Sequence, residues 1–266
     1  MKLLDYVKAL EGKTRRERME TIQSFLKAMD VPFRLQTYET GTNLIVSSGK
    51  TLSVGIGSHF DAVPGSPGAN DNASAVAICL SLLGQPLSGQ THHLGINFYF
   101  FDEEESGLKG SKAYVKQFGV GHLLGFINLE MCGFGDRIAL WPLDEHVTGN
   151  VLEAFERQAE SENIFVKRFD QIVTNYADHL SFRKGGLSDA FSVTGISAKE
   201  LEIAYHYYQA LQAGADKAIL AGIMAQAPLF RHYHQATDAS SHLSESSLMM
   251  VRDLVVGTIE RLSASF

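Results

Sequence analysis

The feature that most constrains the fold is an apolar run, residues 94–101, that leads directly into four consecutive acidic residues, 102–105. The run is rich in aromatic and β-branched residues and has the length of one buried strand. Ligands of open α/β sheets bind at the carboxyl ends of the strands. Adjacent side chains on an extended backbone point to opposite sides, so Glu104 and Glu105 could divide proton transfer and metal binding between them. A solvated acidic turn is the alternative for this run taken alone.

Other predicted strands and helices alternate with this strand along the chain. Strands are expected at residues 33–38, 43–47, 53–58, 124–129, 137–141 and 164–169. Helices are expected at residues 14–29, 73–83, 111–118, 151–160 and 205–227, and near the end of the chain from residue 248. This alternation predicts an α/β fold in which helices flank a mixed, mostly parallel sheet on both faces. The length of 266 residues and the lack of a linker in the sequence predict a single domain, 1–266.

Composition and charge exclude several classes of protein. The net charge is −7 and the sequence contains no basic stripe, which argues against a nucleic-acid partner. The first residues contain no long apolar segment, so we expect neither a signal peptide nor a membrane anchor. We therefore expect a cytoplasmic protein. Cys79 and Cys132 are far apart and lack metal-type spacing, so we expect free thiols.

Imidazole and carboxylate side chains follow the predicted strands and recur in a late loop. These positions are His59 and Asp61, Asp71 within a Gly-Ala-Asn-Asp-Asn segment, Glu104 and Glu105, Glu130, and His234 followed by Asp238. Imidazole and carboxylate groups are the ligands that zinc takes from proteins. Five ligands are too many for one catalytic zinc with an open position, but they suit two ions that share a bridging carboxylate.

These motifs resemble family 28 of the metallopeptidases, the co-catalytic zinc aminopeptidases of the bacterial leucyl aminopeptidase type. The resemblance covers residues 59–238 and rests on five motifs in the family's order: His-x-Asp, Gly-Ala-Asn-Asp-Asn, Glu-Glu-x-Gly-Leu-x-Gly-Ser, Asn-Leu-acid-Met, and Tyr-His with a later Asp. It implies a three-layer αβα zinc-exopeptidase fold, two zinc ions and a short peptide as the substrate. Similar ligands can also take manganese or cobalt.

The resemblance further implies a metal ligand set. His59 and Glu130 would hold one zinc, Glu105 and His234 would hold the other, and Asp71 would bridge both. The family usually has Asp where Glu130 stands, while the related carboxypeptidase-type enzymes use Glu, which leaves the substrate class open.

The catalytic roles implied by the resemblance fall to Glu104 and Asp61. Glu104 would be the general base that takes a proton from a zinc-bridging water and passes it to the leaving amine. Asp61 would hydrogen-bond the second ring nitrogen of His59. The resemblance also implies a cis peptide bond between Asp71 and Asn72.

Some residues near these motifs permit two interpretations. His232 lies close enough to His234 to compete as a ligand, and Cys132 could be a thiol ligand rather than a small buried residue. Asp178-His179 either borders the site, as a similar segment does in the family, or begins a helix with a solvated histidine. Residues 205–231 could form a lid over the site, an extra surface helix or an oligomer contact, and the oligomeric state stays open.

The leading interpretation is a two-zinc aminopeptidase that acts on the N-terminal bond of short peptides. The alternatives are a glutaminyl cyclase on the same fold with one zinc, an N-acyl amino acid deacylase-like hydrolase, and a non-catalytic binding relative. The Asn-Asp-Asn segment and the complete ligand set favour the peptidase.

Overall fold

The structure is a computed structural model, and it describes residues 1–84, 94–170 and 176–265. The strands in these ranges are β1 Arg34–Thr37, β2 Thr42–Val46, β3 Ser53–His59, β4 Gly95–Phe101, β5 Leu123–Leu129, β6 Arg137–Trp141, β7 Val166–Arg168 and β8 Ala190–Ile196. The helices are α1 Leu3–Leu10, α2 Arg15–Ala28, α3 Ser74–Leu83, α4 Lys109–Phe118, α5 Asn150–Ser161, α6 His179–Lys184, α7 Ala198–Gln212, α8 Lys217–Met224 and α9 Glu245–Ser263. Short irregular helical turns occupy Ala69–Ala73, Pro228–Arg231 and Ser240–His242.

The strands form one sheet in the order β1-β2-β4-β3-β5-β8-β6-β7. Strands β4, β3, β5 and β8 run parallel to one another, β7 is parallel to β6, and the remaining pairs are antiparallel. The predicted mixed, mostly parallel sheet is therefore confirmed. Because β4, β3 and β5 are adjacent and parallel, the residues that follow them meet at one edge of the sheet.

Helices cover both faces of the sheet, which makes the fold a three-layer αβα arrangement. Along β4, Phe98 and Phe100 join the core formed with α1, α2, α3, α5 and α9. The alternate residues Tyr99 and Phe101 join a second core with α4 and α6. This period of two is what a strand buried on both faces requires.

The prediction of one long helix at residues 205–227 is wrong. The chain there forms two helices, α7 and α8, and the break contains Gly214, whose φ of 78° lies in the left-handed region. Asp216 then begins α8, since its carboxylate accepts a hydrogen bond from the backbone N–H of Ile219 at 2.9 Å. A left-handed glycine ends a helix and a capping aspartate begins one. These two residues cause the break, and the Ala-rich composition of the segment did not reveal it.

Helix α1 has no counterpart among the predicted helices. Cys79 and Cys132 are free, as predicted, and both are buried. None of the helices in the described ranges is both long and apolar enough to cross a membrane.

Candidate metal centre

The five predicted metal ligands lie together at the carboxyl edge of the sheet. They form two overlapping groups, His59–Asp71–Glu130 and Asp71–Glu105–His234, and within each group one ligand atom per residue lies within 4.8 Å of the others. Glu104 also lies close, in a third group with His59 and Glu105. The strand ends and the loop after Pro228–Arg231 bring together residues that are up to 175 positions apart, counted from His59 to His234.

Asp71 lies between the two histidines and turns one oxygen toward each. Its Oδ1 is 3.2 Å from His59 Nε2, and its Oδ2 is 3.3 Å from His234 Nε2. His59 Nε2 is also 3.4 Å from Glu130 Oε2, and His234 Nε2 is 3.1 Å from Glu105 Oε2. Two imidazole–carboxylate sets that share one carboxylate have the donor types and connectivity of a site for two cations.

The electrostatics of the cluster indicate a deficit of positive charge. Burial, together with the charge of neighbouring carboxylates such as Glu130, raises the pKa of Glu104 to about 10. Burial and the charge of Asp71 raise the pKa of Glu105 to about 7. Burial alone would lower the pKa of His59, but Glu130 and the other carboxylates raise it well above its usual value. Protons therefore neutralise part of the cluster, a role that divalent cations can take over.

One buried oxygen supports the same conclusion. Among the described residues, Glu105 Oε1 is buried and has no hydrogen-bond partner. A buried carboxylate oxygen without a partner is costly unless a ligand satisfies it. The residues present thus fit divalent cations, both in donor type and in unsatisfied charge.

Asp61 organises the loop that carries the two glutamates. Its carboxylate oxygens accept hydrogen bonds from the backbone N–H groups of Glu104 at 3.1 Å and Glu105 at 3.2 Å. The pair lies in a turn rather than on the predicted extended backbone, because both N–H groups point to one carboxylate. His59 Nδ1 is 3.1 Å from the Asp61 carbonyl oxygen and 3.4 Å from Asp61 Oδ1. Asp61 therefore contacts both His59 and the glutamate turn.

Two asparagines of the quoted motifs, to which the sequence analysis gave no role, hold Glu130. Asn72 Nδ2 donates to Glu130 Oε2 at 2.8 Å, and Asn128 Nδ2 donates to Glu130 Oε1 at 3.0 Å. The bond between Asp71 and Asn72 is cis, as the resemblance implies. Asn128 precedes Glu130 by two positions and so extends from the same side of the chain, a signal present in the sequence.

The residues that could have competed as ligands lie outside the cluster. His232 Nδ1 is 2.9 Å from Thr237 Oγ1, and its ring stacks on that of His242 at a centroid distance of 4.1 Å. Cys132 Sγ contacts the carbonyl oxygens of Glu130 and Val193, each at 3.6 Å. Neither side chain contributes to the two ligand groups.

Asp178-His179 borders the site and begins helix α6 at the same time. The interpretation with a solvated histidine is wrong, because His179 is fully buried and its Nδ1 lies 2.7 Å from Ser192 Oγ. Asp178 is also fully buried, and burial raises the pKa of its carboxyl group to about 7. Its charge contributes to the raised pKa of Glu104, so the two carboxyl groups interact.

A cleft of about 420 Å³ opens in front of the ligands. Its far wall contains Ala221 and Met224 of α8, followed by Phe230 and Tyr233. A small, mostly apolar pocket of about 40 Å³ adjoins it and shares Met131, Trp141, Met224 and Phe230. Part of residues 205–231 therefore forms a wall of the cleft.

Known proteins share sequence features and the fold with this chain. The sequence profile of peptidase family M28 matches residues 43–259. The probable lipoprotein aminopeptidase LpqL of Mycobacterium tuberculosis is 31% identical over 206 residues, which cover 72% of this chain and 39% of that protein. The chain thus spans less than half of this relative's length.

Solved structures share the fold at lower identity. BSAP, a zinc aminopeptidase from Bacillus subtilis, superposes with a TM-score of 0.64 at 23% identity, over 82% of this chain and 49% of that one. A glutaminyl cyclase from Porphyromonas gingivalis superposes with a TM-score of 0.71 at 18% identity, over 98% of this chain and 97% of that one.

Proposed function

The chain belongs to peptidase family M28, and from this premise we propose that it is a two-zinc aminopeptidase that hydrolyses the N-terminal bond of short peptides. The observation that carries the proposal is the position of Asp71, with one oxygen toward His59 and the other toward His234. A one-zinc enzyme has no use for this doubled set of ligands. The two-ion arrangement therefore accounts for residues that a single ion would leave unused.

The chain's own residues divide the chemistry among themselves. His59 and Glu130 would hold one zinc, and Glu105 and His234 the other, with Asp71 common to both. When bound, the zinc ions would activate water for attack and polarise the scissile carbonyl.

Glu104 is the base in this proposal. It would take a proton from the attacking water and deliver it to the leaving amine, so one carboxylate serves both halves of the reaction. Asp61 fixes the backbone of Glu104 through the hydrogen bond at 3.1 Å, which keeps the base next to the ligand Glu105. The apolar pocket beside the cleft supports a preference for an apolar side chain at the N-terminal residue of the substrate.

Metal content and a substrate screen test the proposal together. Mass spectrometry of the purified protein should find two zinc ions per chain. A screen of aminoacyl anilides and short peptides should then show release of free amino acids from unblocked substrates, and no reaction with N-acetylated ones. One tightly bound metal and no peptidase activity would contradict the proposal.

A glutaminyl cyclase is the second candidate, because the superposition with one such enzyme covers nearly the full length of both chains. In that reaction the substrate's own α-amine attacks, so no activated water is required. Formation of pyroglutamate from peptides with N-terminal glutamine, without hydrolysis, would favour the cyclase. Cleavage of N-acyl amino acids alone would favour a deacylase-like hydrolase, in keeping with Glu130.

A further inference from the structure

An arginine with almost no solvent contact lies behind the metal centre. Arg18 of α2 is 1% exposed and shares the buried side of this helix with Ile22 and Leu26. None of the ion pairs found among the described residues involves it. Helix α2 also lies outside the part of the chain that the family profile matches. A buried arginine is rare unless its donors are satisfied, so its partners are informative.

Arg18 Nε donates to the backbone carbonyl of Lys13 at 3.3 Å. Its two terminal nitrogens donate to backbone carbonyls of residues 60–68, the turn between the ligands His59 and Asp71. Nη1 donates to the carbonyl of Phe60 at 3.2 Å, and Nη2 donates to the carbonyls of Pro67 and Gly68, the latter at 3.0 Å. Gly68 leaves room for the guanidinium group, since a Cβ at that position would lie 2.5 Å from Nη2. The guanidinium thus ties together the two ends of residues 60–68.

Asp61 lies at the start of this turn, and Asp71 lies three residues after its end. Asp61 holds the turn of Glu104, and Asp71 is the carboxylate shared by the two ligand groups. Asp71 has a further anchor, because Asp238 accepts a hydrogen bond from its backbone N–H at 3.1 Å. A displacement of residues 60–68 would therefore move the shared ligand and the support of the base together.

The N-terminal helices contact a second site loop as well. Both oxygens of Glu11 accept hydrogen bonds from Ser240, at 2.7 Å from its backbone N–H and 2.8 Å from its hydroxyl. The N–H of Gly12 donates to the Pro67 carbonyl at 2.8 Å. Residues 11–18 thus link the turn at 60–68 to the loop that follows His234.

We propose that Arg18 is a positioning residue for the metal centre, which holds residues 60–68 in the shape that presents Asp61 and Asp71. The inference rests on the proposed function, since it assumes that these residues bind metal. The planar guanidinium carries five donors in a fixed fork, so it can bond several carbonyls at once in a way that a lysine ammonium cannot reproduce.

The direction in which zinc affinity changes when Arg18 is replaced distinguishes a positioning role from a purely electrostatic one. A cation near the site repels metal ions, so loss of the charge alone would strengthen metal binding. Loss of positioning would weaken it, because residues that orient metal ligands typically contribute about 10–100-fold to metal affinity.

Two substitutions and a matched control test the role. Arg18→Met removes the charge and the donors, and Arg18→Lys keeps the charge but not the fork. Arg16→Met is the control on the same helix, because the Arg16 side chain is 85% exposed and pairs with Glu20. Zinc affinity is measured by competition with a chromophoric chelator, and unfolding is followed by circular dichroism with and without zinc.

Both Arg18 variants should bind zinc about 10–100-fold more weakly than the parent, and Arg16→Met should bind it equally well. Two results would overturn the proposal. Unchanged zinc affinity with reduced stability would mean that Arg18 has a purely structural role. Tighter zinc binding by Arg18→Met alone would mean that only the charge of Arg18 matters. If Arg18→Met does not fold, Arg18→Lys decides. A parent protein that binds no zinc would instead contradict the proposed function.

Discussion

Glu104 and Glu105 are adjacent in sequence but have different surroundings in the site. Glu105 Oε2 lies 3.1 Å from His234, while Glu104 is 7% exposed and interacts with Asp178. We therefore expect Glu104→Gln to keep both metal ions and to lower kcat by about 10²–10⁴-fold, the usual contribution of a general base. Glu105→Gln, the matched isostere, should lower metal occupancy. Metal analysis and steady-state kinetics on both variants check this, and the opposite pattern would mean that the two roles are exchanged.

Asp178 gives a prediction about stability and pH in the metal-free protein. Burial raises the pKa of its carboxyl group to about 7, so the folded state binds this proton more tightly than the unfolded state. Its stabilising contribution is complete below pH ~4, the unfolded pKa, and is lost as pH rises through about 7. Asn cannot ionise, so Asp178→Asn should be more stable than the parent above pH 7, by about 1–3 kcal/mol.

Denaturant unfolding in the presence of a chelator, at pH 4.5 and pH 8, measures this difference. The exposed Asp30, replaced by Asn, is the matched control and should change stability equally at both pH values. If the free energy of unfolding of Asp178→Asn differs from that of the parent by the same amount at pH 4.5 and pH 8, the prediction is contradicted.

At the scale of elements, α8 contributes to the wall of the cleft. Met224 lines both the cleft and the apolar pocket beside it, whereas Ile219 of the same helix is 54% exposed. Met224→Trp should fill the pocket and lower kcat/KM for leucyl and phenylalanyl anilides by about 10–100-fold, the usual range for discrimination by a hydrophobic pocket. Alanyl anilide should be affected less, because its side chain does not need the pocket. Ile219→Trp is the control, and an equal loss for all three substrates would contradict the prediction.

The elements that carry the metal ligands could be predicted from the sequence. Strands β3, β4 and β5 are mostly apolar, and polar residues end each strand or follow it within four positions, so the sheet edge brings the ligands His59, Glu105 and Glu130 together. The break between α7 and α8 was not predicted, because the segment is rich in helix-forming residues and only Gly214 and Asp216 mark the break. Local signals of one or two residues are easily outweighed by composition.

The residues that support the site were harder to predict than the ligands. Asn72 and Arg18 act through contacts with Glu130 and residues 60–68, which are distant in sequence. Ligands belong to chemical types that a metal selects, whereas an asparagine or a buried arginine is compatible with many environments. The one sequence signal for Arg18 is its spacing of four residues from Ile22, which places it on the apolar side of α2.

At the scale of the whole molecule, metal binding should be coupled to folding and to pH. The metal-free cluster holds protons at neutral pH, because the pKa values of Glu104, Glu105, His59 and His234 are all raised. Ligands must lose their protons to bind a metal, so zinc binding should release protons and should strengthen as pH rises. Because zinc binds the folded state, a free zinc concentration 100 times Kd stabilises that state by about 2.7 kcal/mol. This stabilisation raises Tm by roughly 5–10 °C.

The difference in Tm between zinc-loaded and chelator-treated protein should therefore shrink as pH falls from 8 to 5.5. Thermal unfolding across this range measures it, and titration calorimetry in buffers of different ionisation enthalpy counts the released protons. His234→Ala should abolish most of the difference, since it removes the ligand that faces Asp71 Oδ2 at 3.3 Å. His232→Ala is the matched control and should retain the difference, because His232 contacts Thr237 and lies outside the cluster. A difference in Tm that is constant with pH would mean that zinc does not displace protons from these four residues.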